Sequence, residues 1–131
     1  MKISFENPPN GIREKCEKKF DLTNSVCIWT FGDTIFNPSK GNIDPFTEAH
    51  ETVHQIQQGK NPDKWWGIYL DSPTFRFKQE LEAYRVEYQT FKKVVKDRNM
   101  HARFLHDKAL QLSGSHLGSL ATIQQAKDLI R

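Results

Sequence analysis

The chain reads as an α+β fold that is mostly helical, and three features of the sequence point there. The short β-branched and aromatic runs that read as strands lie before Asn37. From Asp44 onward, apolar residues recur at spacings of three and four, the helical period. Residues that start and stop helices punctuate that stretch at Gly59, Pro62, Ser72-Pro73, Gly114 and Thr122. At 131 residues, one domain spanning 1–131 is expected, with one modest core.

Lys2–Glu6 is expected as a short strand, broken by Pro8-Pro9-Asn10-Gly11, with a short helix over Ile12–Phe20. Val26–Phe31 has strand composition, and Gly32-Asp33 can turn it into Thr34–Phe36, which predicts a small N-terminal hairpin. Asn37–Asn42 reads as a loop. A helix then begins with Asp44 as N-cap and Pro45 in the first position, and stops at Gly59. Its apolar stripe is Phe46, Ala49, Val53 and Ile56, with His50, His54 and Gln57 forming a second stripe beside it. The histidines should therefore lie half-buried at the edge of the core. Asn61-Pro62-Asp63 opens a short helix carrying Trp65, Trp66, Tyr69 and Leu70. Asp71-Ser72-Pro73 caps a long helix to about Arg98, striped by Phe77, Leu81, Tyr84, Tyr88, Phe91 and Val95. Met100–Leu112 reads as a further helix, broken by Ser113-Gly114-Ser115. Thr122 and Gln125 have capping-box spacing for a last helix ending at Arg131.

Composition narrows the partners. The formal charge of +3 is mild and spread along the chain, so a nucleic-acid partner is not expected. No run approaches the ~18 apolar residues of a membrane span, so no membrane partner is expected either. The N-terminal residues lack the apolar core of a secretory signal. Cys16 and Cys27 have no metal-binding or redox-motif spacing and read as free thiols in a reducing compartment. Together these predict a cytoplasmic location.

The chemistry concentrates in His50-Glu51-Thr52-Val53-His54. Histidines four apart on a helix stack on one face, the spacing two ligands of one metal ion require. Glu51 stands about 100° round the helix from them, where a carboxylate can hold a water beside a metal. Two histidines need a third protein ligand, and the long helix offers Glu80, Glu82 and Glu87. With Phe77 at zero, Glu80 falls near 300° and Glu87 near 280°, both flanking the apolar stripe, at roughly 100° per residue. Glu82 falls at about 140°, on the solvent side. Glu80 is the preferred ligand and Glu87 the alternative; a surface pair with Arg76 is the competing role for Glu80. His101, His106 and His116 read as solvated surface residues.

The pentad fits H-E-x-x-H, the zinc-peptidase signature. HETVHQIQQG with the later QELEAYRVEY resembles the gluzincin pattern, in which a later helix supplies a glutamate ligand. The run GDTIFNP, the stretch WW-x-x-YL-x-x-P-x-FR, the ELEAY segment and LSG are similar to small H-E-x-x-H proteins encoded by bacteriophages and prophages. The resemblance covers nearly the whole chain. It implies a minimal zincin-like domain, with the pentad helix packed on a long glutamate-bearing helix, in a bacterial host cell or associated with a phage. It also implies zinc held by His50, His54 and Glu80, and Glu51 as the base that activates a zinc-bound water. Many gluzincins have an acidic residue where this chain has Tyr84. Tyr84 then reads either as a donor to the oxyanion or as an ordinary core tyrosine.

The expected activity is hydrolysis of a peptide bond in a peptide or protein substrate. Val26–Phe31 or Thr34–Phe36 could align an extended peptide by β-addition. Trp65, Trp66 and Tyr69 could wall the cleft, with one of the adjacent tryptophans turned into the core. The alternative is a non-catalytic module that keeps a zinc site for binding or structure. Retention of Glu51 favours the enzyme, because a structural site has no need of that carboxylate.

Overall fold

The structure, a computed structural model, describes residues 1–22 and 27–131. Elements run β1 (Lys2–Ser4), α1 (Ile12–Lys19), β2 (Trp29–Phe31), β3 (Thr34–Phe36), α2 (Pro45–Gln58), α3 (Pro62–Asp71), α4 (Pro73–Val94), α5 (Arg98–Leu112), a 3-10 turn (Ser115–Leu117) and α6 (Ile123–Ile130). The fold is α+β and mostly helical. Its sheet has the order β1-β3-β2, with β1 parallel and β2 antiparallel to β3. Gly32, at φ 60°, takes the first position of the two-residue turn between β2 and β3, where glycine carries no steric penalty. Of the strand expected over 26–31, Trp29–Phe31 is strand and Cys27-Ile28 is not. Val26 lies outside the described residues.

The helix ends follow their capping chemistry. The Asp44 carboxylate accepts from the backbone N–H groups of Phe46 and Thr47 at 2.9 and 2.8 Å, and Gly59 closes α2 at φ 56°. Ser72 ends α3 and caps α4 through the Phe75 N–H, so α3 and α4 share one junction residue. Thr122 and Gln125 form the reciprocal capping box at the start of α6. The long helix stops earlier than expected, at Val94 rather than near Arg98. Asp97 supplies the reason: its carboxylate caps Asn99 and Met100 and so starts α5.

Two apolar clusters result. One packs Tyr84 and Tyr88 of α4 against Leu105, Ala109 and Leu112 of α5, Leu117, and Ala126 and Ile130 of α6. The other joins Ile12 and Cys16 of α1 to Trp29, Trp65 and Trp66. Both tryptophans are buried, against the expectation that only one turns inward. Helix α2 packs chiefly on α4 and also touches α3 and β2.

Its inward face keeps Phe46, whose ring meets Phe91 at 5.1 Å, and the buried Val53, but departs from the expected stripe at Ile56. Ile56 is 72% exposed, whereas Glu51, His54 and Gln58 are buried alongside Val53. Gln58 explains this rotation. Its amide donates to the Thr30 carbonyl at 2.7 Å and accepts from the Gly32 N–H at 2.8 Å, anchoring α2 to β2. Among the described residues, no helix is long and apolar enough to cross a membrane.

Candidate metal centre

Helices α2 and α4 bring His50, His54 and Glu80 together. Glu80 Oε1 lies 2.9 Å from Nε2 of each histidine, and the two Nε2 atoms are 3.1 Å apart. These are the only histidine, cysteine or carboxylate side chains among the described residues grouped closely enough to hold a metal ion. Four ligand atoms about 2.0 Å from a tetrahedral metal would stand about 3.3 Å apart, so the three observed donors need to open by only a few tenths of an ångström.

The outer hydrogen bonds determine what the inner atoms offer. His50 Nδ1 is 2.8 Å from Glu87 Oε1, and His54 Nδ1 is 2.8 Å from Gln57 Oε1. The Gln57 amide is oriented by its Nε2, which donates to the Gln79 carbonyl at 3.0 Å. Both outer oxygens are acceptors, so both Nδ1 atoms donate. In neutral rings the two Nε2 atoms then carry lone pairs, and these converge on a carboxylate oxygen. Three acceptors facing one another require a cation or protons between them. Burial pushes His50 down, but its hydrogen bonds to Glu80 and Glu87 prevail and hold it at about 10. Burial likewise opposes the protonated form of His54, and the Glu80 charge overcomes it, raising the pKa. Burial works to raise Glu80; the charge of His54 and the histidine hydrogen bonds instead hold it well below the usual carboxylate range.

The surrounding side chains fix this arrangement. The Tyr69 hydroxyl donates to Glu80 Oε2 at 2.7 Å, leaving Oε1 for the histidines. Glu87 Oε2 pairs with Lys108 Nζ at 2.9 Å. Trp65 packs 5.3 Å from His54, and its indole N–H donates to Gln79 Oε1 at 2.8 Å. Trp66 lies deeper, donating to the Thr30 carbonyl. The Tyr84 ring stands edge-on to His50 at 4.7 Å, while its hydroxyl donates to Gln111 Oε1 at 2.9 Å. That hydroxyl is thus turned to α5.

Glu51 is buried in the wall of the same cleft but belongs to no ligand group. Among the described residues its Oε2 has no hydrogen-bond partner, and burial pushes its pKa up. Glu82 is exposed, away from the site. Arg76 does not pair with Glu80; its guanidinium donates to backbone carbonyls instead. His106 is exposed, His101 bonds the Val95 carbonyl, and His116 lines the rim of the cleft. The cleft, of about 870 Å³, also exposes residues from the second apolar cluster. Cys16 and Cys27 line it, and burial pushes both thiols up, which suits inert thiols.

Neither strand offered for peptide alignment is open along its length. β3 is the central strand, paired on both sides. On β2, the Thr30 carbonyl is already held by Gln58 and Trp66, and just past it the Gly32 N–H is held by Gln58. Comparison with family models, with curated proteins and with solved structures finds no match to this chain.

Proposed function

We propose that the chain is a zinc-dependent, zincin-like peptidase in which His50, His54 and Glu80 hold the metal. The observation that carries this reading is the meeting of three acceptor atoms beside a buried carboxylate, Glu51, one of whose oxygens has no partner among the described residues. Two imidazoles and one carboxylate form a donor set that suits zinc and leaves a coordination position open. Zinc, when bound, supplies a Lewis acid that polarises a carbonyl and makes water acidic near neutral pH.

The chain's own residues do the rest. Glu51 takes a proton from the attacking water and returns it to the leaving amine. Its raised pKa favours proton uptake, and its open Oε2 is free to receive one. Glu87 and Gln57 hold the two imidazoles in the tautomer that faces Nε2 inward. Tyr69 restricts Glu80 to one oxygen at the centre. Tyr84 acts by packing on His50, since its hydroxyl is engaged by Gln111.

The engaged Tyr84 hydroxyl favours a second reading, a zinc-stabilised binding module, because it removes one candidate donor to an oxyanion. Glu51→Gln separates the two. The variant should keep the metal and the fold and lose hydrolysis of a peptide library that the wild type cleaves. A metal-loaded wild type that cleaves nothing in a broad library would favour the binding module.

A further inference from the structure

We propose that Lys108 is a positioning residue for the metal centre: acting through Glu87, it holds the imidazole of His50 in its metal-facing arrangement and so raises the affinity for zinc. The inference rests on the zinc site proposed above and not on hydrolysis.

Lys108 lies on α5, a helix that supplies none of the three candidate ligands. Its Nζ stands 2.9 Å from Glu87 Oε2, and Glu87 Oε1 stands 2.8 Å from His50 Nδ1. One carboxylate thus bridges a cation on α5 and a ligand on α2. Glu87 itself is 3% exposed. Among the described residues, Lys108 is the only lysine or arginine paired with Glu80 or Glu87; Glu80 meets the two histidines and Tyr69 instead. A buried carboxylate needs a counter-charge and hydrogen bonds on its remaining lone pairs. Lys108 supplies the charge at one oxygen, which leaves the other directed at the His50 N–H.

The lysine is itself held in place. Its Nζ lies 5.0 Å from the centre of the Phe104 ring, which stacks on Phe91 of α4 at 4.0 Å. The same ring pair therefore joins α5 to the helix that carries Glu87. Three residues along α5, Gln111 accepts the Tyr84 hydroxyl at 2.9 Å, and the Tyr84 ring stands edge-on to His50 at 4.7 Å. Helix α5 thus reaches His50 by two routes. It reaches His54 by neither: His54 Nδ1 is held by Gln57, and Gln57 by the Gln79 carbonyl, on α2 and α4.

Two opposite effects on the metal compete. As a like charge near a dication, Lys108 would oppose zinc. As the partner that fixes Glu87 it favours zinc, because a fixed acceptor on the Nδ1 side turns Nε2 to the metal and makes it a better donor. The second effect prevails, because Glu87 stands between Lys108 and His50 and carries the opposite charge. The sign of the change in affinity therefore decides between them.

Lys108→Met is the test. Methionine keeps an unbranched chain over Phe104 and removes the charge. Zinc affinity, read by competition with a chromophoric chelator, should fall about tenfold, the lower end of the roughly 10–100-fold usual for a partner behind a histidine ligand. Lys108→Arg should restore most of it. Lys93→Met, which removes an exposed charge from the last turn of α4, should leave affinity unchanged. In a Glu87→Gln chain, Lys108→Met should add no further loss. Nitrogen-15 spectra of the imidazoles in zinc-loaded samples give a second readout: the His50 Nδ1–H signal should move in Lys108→Met while that of His54 stays. Unchanged or tighter zinc binding overturns the proposal, and tighter binding marks Lys108 as a repelling charge. A loss that adds to that of Glu87→Gln, or that moves both histidine signals alike, overturns it in favour of a general loosening of α5. Wild-type protein that binds no zinc removes the site and the inference together. Zinc binding with this dependence on Lys108, but without cleavage of any peptide, keeps the inference and removes the peptidase.

Discussion

His50 has a carboxylate at each ring nitrogen, Glu80 at Nε2 and Glu87 at Nδ1, and the two carboxylates have different tasks. Glu80 Oε1 also meets His54, so Glu80→Gln removes the charge at the centre itself. Zinc occupancy by elemental analysis should fall strongly in Glu80→Gln and stay near one per chain in Glu82→Gln, because Glu82 is exposed. Equal loss in both would remove Glu80 from the site. Glu87→Gln should weaken zinc affinity by roughly 10–100-fold without abolishing it, the usual effect of losing a partner behind a histidine ligand. Protons compete for the same atoms. With His50 held at about 10 and His54 also raised, at least one proton occupies the centre at pH 7 when no metal does. Zinc must displace it, so binding should release protons at pH 7, and affinity should rise with pH as that competitor is lost. Calorimetry in buffers of differing ionisation enthalpy measures the release. A proton count of zero would show that the Nε2 atoms are already bare.

At the level of elements, Gln58 ties α2 to β2 and its turn through two hydrogen bonds. Gln58→Ala leaves the Gly32 N–H without its acceptor and should cost about 1–3 kcal/mol in urea denaturation, in line with an abandoned buried polar group. Ile56→Lys, at a 72% exposed position, should stay within about 0.5 kcal/mol. The opposite ranking would restore the apolar stripe as the anchor. This contrast marks the limit of the sequence reading. Periodicity weighs apolar residues, so it placed Ile56 inward and did not single out Gln58, whose partners lie in distant β2. The same reading located α2 through Asp44, Pro45 and Gly59, because capping chemistry is local. It separated Glu80 from Glu82 by helical phase alone. Glu87 was legible as a neighbour on the same face but not as the partner of His50 Nδ1. The contacts of Tyr69 and Lys108 had no signal in the sequence, since they depend on how α3 and α5 dock. The length of α4 was misjudged because the Asp97 cap interrupts an otherwise continuous helical pattern.

Across the whole molecule, the centre lies where α2 meets α4, while the apolar clusters lie to either side: α4 with α5 and α6, and α1 with β2 and α3. His50, His54, Glu80 and Glu87 share the α2–α4 contact with the Phe46–Phe91 ring pair. A metal joining His50 and His54 of α2 to Glu80 of α4 would cross-link that contact in the folded state alone. Ligand present at about 1,000 times its dissociation constant stabilises a fold by about 4 kcal/mol. In a domain of this size, that corresponds to a rise in melting temperature on the order of 10–20 °C. Removing zinc with a chelator should lower the melting temperature of the wild type by several degrees or more. The clusters on either side should still give a cooperative transition afterwards. His50→Ala should start near the lower temperature and not respond to the chelator, which separates loss of metal from other effects of the chelator on the protein. A wild-type melting curve unchanged by verified removal of zinc would show that the hydrogen bonds between α2 and α4 hold the contact unaided, and that the cluster makes no metal-dependent contribution to the fold.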